Sequence, residues 1–137
     1  MAIYSAVEYI RDFMNGTAHK ELANTADDDA RLLGAMCFDK MRLRASNGVT
    51  YFYCFLADGQ NADVAQYLLR RNGFLPRTHT SRYMGGAYRV VRVPESSFRT
   101  NASKKGFIQS VAGVQMNMDS IEHQLTRIRS EMIQNTK

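Results

Sequence analysis

Tryptophan is absent from the sequence, and proline and cysteine occur only twice each. Without tryptophan, the rings available for a core or a base-stacking surface are seven tyrosines and seven phenylalanines. Two cysteines, Cys37 and Cys54, cannot supply the dense disulfide framework of a small secreted domain, and both are expected to be buried thiols. They have no histidine at ligand spacing, so they make a poor zinc site. Long apolar runs are missing as well. The longest, Tyr51 to Ala57, is far short of the roughly 20 residues that cross a bilayer. Glu8, Arg11 and Asp12 interrupt the first fourteen residues, which excludes the apolar core of a secretory signal. A cytoplasmic protein with no membrane partner is expected.

Catalytic signatures are equally scarce. His19, His79 and His123 fall in separate elements with no Ser, Cys or carboxylate at motif spacing. Gly85-Gly86 lacks the lysine and the following helix of a phosphate loop. Asp27, Asp28 and Asp29 are adjacent, but neighbouring positions of a helix point in different directions and cannot converge on one ion. They suit a helix first turn, where the dipole favours negative charge. The expectation is a non-enzymatic protein with no metal and no other cofactor.

Acidic residues are nearly missing from one stretch. Residues 70–105 hold nine basic groups (Arg70, Arg71, Arg77, Arg82, Arg89, Arg92, Arg99, Lys104 and Lys105) against Glu95 alone, a net of +8. Residues 1–69 hold six Lys/Arg and nine Asp/Glu, a net of −3, and residues 106–137 hold three of each. Block charge speaks about partners rather than fold. Tyr83, Tyr88 and Phe98 are interleaved with these cations, and arginines with exposed rings suit phosphates and unpaired bases.

The periodicities imply an α+β fold. Ile3, Val7, Ile10 and Met14 lie on one face of a first amphipathic helix, which Asn15-Gly16 ends. Thr25 or Asp27 starts a second helix, continuing through Leu32, Leu33, Met36, Cys37, Lys40 and Met41. Val49 to Ala57 is apolar on both faces, as in a central strand. Tyr51 and Tyr53 would stack on bases if their face were open; in a core, their hydroxyls would sit at the rim. Asn61 or Asp63 starts a crossover helix that Asn72-Gly73 closes. Two strands follow, 75–83 and 86–93, joined at Gly85-Gly86. The expected order is β-α-β-β, a three-stranded sheet after two N-terminal helices.

The segments Asn61-Ala62-Asp63-Val64-Ala65, Leu69-Arg70-Arg71-Asn72-Gly73-Phe74 and Gly86-Ala87-Tyr88-Arg89-Val90 resemble part of the sporulation-related repeat domain of bacterial envelope proteins. The resemblance covers one half of such a domain, a strand, a helix ending in a basic Gly-Phe, and a Gly-x-Tyr-Arg-Val strand. No second half follows Pro94, and no glycan-binding residue is carried over.

After a polar, basic linker with Ser103 as a candidate N-cap, the last stretch carries a heptad. Phe107, Val111, Val114, Met118, Ile121, Leu125, Ile128 and Met132 fall on one seam. One long helix is expected, pairing with a second copy, most simply as a dimer, or with the stripe of the first helix. The chain thus divides into a globular domain (1–94), a linker (95–105) and a C-terminal helix (106–137). The expected function is self-association through the seam and binding of an anionic partner through Arg70, Arg71, Arg77, Arg82, Tyr83, Tyr88, Arg89, Arg92, Arg99, Lys104 and Lys105. Single-stranded nucleic acid, RNA above all, is the most concrete partner. The alternative is an adaptor whose basic face docks an acidic protein.

Overall fold

The computed structural model describes residues 18–83 and 86–135, with side chains from Thr25 onward apart from that of Tyr83. The expected helix over residues 2–14 and the Gly85 tip lie outside the described residues. Helix α1 (Ala18–Met36) leads into strands β1 (Asp39–Arg44) and β2 (Thr50–Leu56). Helix α2 (Gly59–Arg71) then crosses to β3 (Arg77–Tyr83), and β4 (Gly86–Pro94) returns. A short 3-10 turn (Glu95–Ser97) precedes α3 (Ala102–Gly113) and α4 (Met118–Asn135). The sheet is antiparallel throughout, in the order β1-β2-β4-β3.

Three expectations are corrected. The sheet has four strands, not three. The described residues hold one helix before the sheet, not two, and it begins at Ala18 rather than near Thr25. The heptad stretch forms two helices, not one.

The missing strand was β1. Leu33, Cys37 and Met41 keep helical spacing, which carried the expected helix too far. The chain leaves the helix at Cys37, whose thiol donates to the Leu33 carbonyl at 3.1 Å. Phe38 N–H then donates to the Phe55 carbonyl at 3.1 Å and opens the β1–β2 ladder. From there Lys40, Arg42 and Arg44 alternate with Asp39, Met41 and Leu43, which is a period of two. The loop back to β2 turns at Gly48, whose φ of 84° favours glycine.

Capping also differs from expectation. Asp58, not Asn61 or Asp63, caps α2 by accepting from Asn61 N–H at 2.8 Å. Asn72-Gly73 ends α2 with Gly73 at φ 91°; Gly73 N–H reaches the Arg70 carbonyl and Phe74 N–H the Leu69 carbonyl, both at 3.0 Å. That pair of bonds satisfies the last carbonyls and turns Phe74 into the core. Asn101, not Ser103, caps α3 through Lys104 N–H at 3.0 Å.

The main core lies between the helices and one face of the sheet. Phe52, Cys54, Leu56, Val91 and Val93 supply the sheet side. Both cysteines are buried free thiols. A hydrogen bond with Cys54, and then burial, push the Cys37 thiol well above its ordinary pKa, so it stays protonated and inert.

The seam residues belong to this core. Phe107, Val111, Ile121, Leu125 and Ile128 are buried in it, and Val114, Met118 and Met132 pack against it. The helix breaks because its two halves must each face the interior. Val114 is extended (φ −95°, ψ 137°), and its carbonyl accepts from Lys40 Nζ at 2.5 Å. The same ammonium reaches the Gly34 carbonyl at 3.0 Å, so one cation serves the C-terminal ends of α1 and α3. Asn117 N–H donates to the Ala35 carbonyl at 3.1 Å, while its side chain accepts from Ser120 N–H at 3.3 Å and starts α4. Gly34 makes this crossing fit: a Cβ there would lie 2.6 Å from the Val111 carbonyl oxygen.

Leu125 is fully buried. Leu125→Ala is therefore expected to cost about 2–5 kcal/mol of stability, measured by urea unfolding, with no change in molecular mass by light scattering.

Candidate nucleic-acid interface

The β3–β4 ribbon is where the basic block becomes a surface. Two residues, Met84 and Gly85, separate the paired Tyr83 and Gly86. That register sets Arg77 opposite Arg92, His79 opposite Val90 and Ser81 opposite Tyr88 on one face. It sets Thr78 opposite Val91, Thr80 opposite Arg89 and Arg82 opposite Ala87 on the other. The first face points away from the helices and carries Tyr51, Tyr53 and Phe55 of β2. The second is the helix side.

Arg77, Thr78, His79 and Arg92 line an open cleft of about 520 Å³. Tyrosines fix Arg92 in place. Its guanidinium carbon lies 4.1 Å from the centre of the Tyr51 ring and 5.9 Å from that of Tyr53. Its Nη1 donates to the Tyr53 hydroxyl at 3.3 Å, and its Nε is buried with no hydrogen-bond partner. Among the described residues, no carboxylate pairs with Arg77 or Arg92. Burial, and then the Arg92 charge, push the pKa of His79 below its ordinary value, so the imidazole is neutral at pH 7.

The remaining basic residues scatter. Arg82 is exposed on the edge strand, and Arg89 donates to the Thr78 hydroxyl at 3.3 Å on the helix side. Arg99 and Lys105 line a separate cleft of about 240 Å³ with Arg42, which pairs with Glu95 at 2.6 Å. Arg42 lies outside the basic block, and the alternation of β1 is the sequence signal that brings it here. Lys104 lies 5.7 Å from the Phe74 ring centre. Arg70 is exposed beside α4's Met132. Arg99 and Lys105 thus line a different cleft from Arg77 and Arg92.

Arg71 is committed inside the fold. Its Nε and Nη2 donate to the two oxygens of buried Asp29 at 2.7 and 2.6 Å, and its Nη1 reaches Glu131 at 3.0 Å. Asn72 adds a bond to Asp29 at 2.8 Å. The Asp29 hydrogen bonds raise the Arg71 pKa further against the opposing effect of burial. Asp29 is thus not a first-turn dipole residue. Asp27 and Asp28 instead pair with Arg31 on the same helix.

The aromatic expectations divide similarly. Tyr88 is half-buried on the ribbon, its ring 4.6 Å from Phe38. Phe98 is buried and cannot stack on a base. Tyr51 and Tyr53 are buried too; their hydroxyls accept from Asn47 at 3.1 Å and from Arg92. The side chain of Tyr83 lies outside the described residues. No three His, Cys, Asp or Glu side chains converge among the described residues, and none of the described helices is long and apolar enough to cross a membrane.

Comparison with family models, with curated proteins and with solved structures finds no match to this chain. The resemblance to the sporulation-related repeat gains no support from the family comparison.

Arg71→Ala would leave the buried Asp29 carboxylate with Asn72 as its remaining partner and is expected to cost about 1–3 kcal/mol. Arg70→Ala, one residue earlier and exposed, should leave the melting temperature unchanged in the same thermal scan.

Proposed function

We propose that the β3–β4 ribbon binds the phosphate backbone of single-stranded nucleic acid, with RNA the favoured partner. The observation that carries this reading is the pairing of Arg77 with Arg92. Like charges directly opposite on two strands destabilise a sheet, and no carboxylate offsets them among the described residues. A bound phosphate would offset both. Beside them the edge strand offers Thr78, Ser81 and Arg82, so a flexible strand could follow β3 with hydroxyl and guanidinium donors along its path.

Phosphate contact dominates this reading. The buried tyrosines leave Tyr88 as the one described ring of the ribbon within reach of a base, so binding is weakly sequence-selective and steeply salt-dependent. Self-association through the heptad seam is not part of the proposal, because the seam supplies the chain's own core. A second reading, docking of an acidic extended peptide, draws on β3 being an edge strand, whose unpaired backbone groups can accept another strand.

The test is fluorescence anisotropy with labelled single-stranded RNA across a salt series. If Arg77, Arg92 and Arg82 each meet one phosphate, the log–log slope should be about −2. Arg77→Ala should weaken binding and flatten the slope by about 0.7. Failure of the folded protein to bind RNA at low salt, together with retention on an acidic peptide column, would favour the second reading.

His79 adds a pH signature. Its pKa is lowered in the free protein, and a phosphate beside it would favour the imidazolium and raise that pKa again. Binding should therefore take up a proton, and affinity should rise as pH falls from 7.5 toward 5.5. His79→Ala should remove that pH dependence while leaving binding at pH 7.5 nearly unchanged.

A further inference from the structure

The cleft that holds Arg99 and Lys105 lies on the helix side of the sheet. Three elements build its floor. Strand β2 contributes Phe52, the 3-10 turn ends at Phe98, and α3 contributes Ile108 and Ala112. Phe52 pairs with Arg42 on β1 and with Val93 on β4, and its ring belongs to the main core. Phe52, Phe98 and Ile108 are 4%, 6% and 5% exposed, so they form the base of the cleft rather than its rim. Lys105, Ile108 and Ala112 keep the spacing of one helix face. Ala112, with a single methyl group, leaves room that a larger residue on that face would take. The rim is cationic: Arg42, Arg99 and Lys105 stand against one carboxylate, Glu95, a net of +2. Glu95 already holds Arg42 at 2.6 Å. Arg99 and Lys105 are exposed and pair with no carboxylate among the described residues. The turn beneath them is fixed. Phe98 N–H and Arg99 N–H both donate to the Glu95 carbonyl, at 3.1 and 2.9 Å, and the Ser97 hydroxyl donates to the Pro94 carbonyl at 2.7 Å.

We propose that this cleft binds a small aromatic monocarboxylate, with the ring on Phe52, Phe98 and Ile108 and the carboxylate between Arg99 and Lys105. Apolar surface with a few placed polar groups is the arrangement that holds and orients a small ligand. The cavity of about 240 Å³ equals the liquid volume of about eight waters. That is room for one ring and its carboxylate, and too little for a nucleotide or a folded peptide. Two phenylalanine rings in the floor favour a ring over an alkyl chain, because aromatic pairs gain beyond the area they bury. Glu95 at the rim disfavours a second negative charge, so a singly charged carboxylate suits the site better than a phosphate dianion. A rigid turn and a helix face carry the contacts, so little ordering is needed on binding. This inference does not depend on nucleic-acid binding, because the paired Arg77 and Arg92 lie on the opposite face of the sheet.

The experiment is an amide NMR titration of the full chain with benzoate. Benzoate is expected to shift the amides of Phe98, Arg99 and residues 105–112 saturably, with a dissociation constant on the order of 1 mM or below, as suits a ligand of about ten atoms. Acetate lacks the ring and benzyl alcohol lacks the charge, and each should bind at least about tenfold more weakly. Arg99→Ala and Lys105→Ala should each weaken benzoate by about fivefold. Ala112→Phe, which puts a ring into the cleft, should abolish saturable binding. Equal shifts with acetate, shifts that do not saturate or that lie outside this cleft, or unchanged affinity in the folded variants would overturn the proposal. If Ala112→Phe does not fold, the two charge variants and the ligand comparison decide.

Discussion

A carboxylate in the body of a helix and out of water is costly unless its charge is met. Asp29 is such a group, and Arg71 meets it with two hydrogen bonds to its two oxygens. That contact ties α1 to the end of the crossover helix α2. Through Glu131 the same guanidinium also holds α4, and Arg129 adds a second tie by donating to buried Asn61 at 2.7 Å. The planar fork of arginine fixes direction as well as distance, so three helices are oriented by one guanidinium and the two carboxylates it meets. Hydrophobic packing alone specifies their contact less strictly, because apolar surfaces slide. With α1 and α2 set, the crossing at Gly34 and Lys40 places α3, and the sheet face beneath them is covered.

The basic residues of the chain accordingly do three different things. Arg71 and Lys40 finish internal structure: one neutralises a buried acid, the other reaches the carbonyls at two helix ends. Arg42 pairs with Glu95 near the surface. Arg77 and Arg92 instead face each other with no carboxylate partner among the described residues, and Arg92 is clamped on tyrosine rings. Formal charge along the sequence is blind to this division. What separates the groups is whether a partner for the charge lies across the fold.

The strands over 50–56, 77–83 and 86–94 could be read from local pattern because alternation, apolar runs and glycine turns act over a few residues. The buried thiols could be read as well, from the shortage of other cysteines. What local pattern could not show was competition between periods. The heptad from Phe107 to Met132 is unbroken in sequence, yet Val114 to Asn117 leave the helix because Lys40 and Ala35 take their backbone groups. Nothing near residue 114 announces a lysine 74 residues earlier. The same is true of Asp29, whose role depends on Arg71, 42 residues away. Within the candidate interface, the opposition of Arg77 and Arg92 was available from the turn register, whereas the withdrawal of Arg71 was not.

The edge position of β3 has a consequence for the protein as a solute. An exposed strand edge is a template on which identical chains can stack, and long apolar edges lead to fibrils and precipitates. Here the edge reads Arg-Thr-His-Thr-Ser-Arg before its tyrosine, so each approaching copy would bring a row of like charges against its own. Colloidal stability and the proposed phosphate binding thus draw on the same side chains. Evolution toward a less basic ribbon would have to find another way to keep these edges apart.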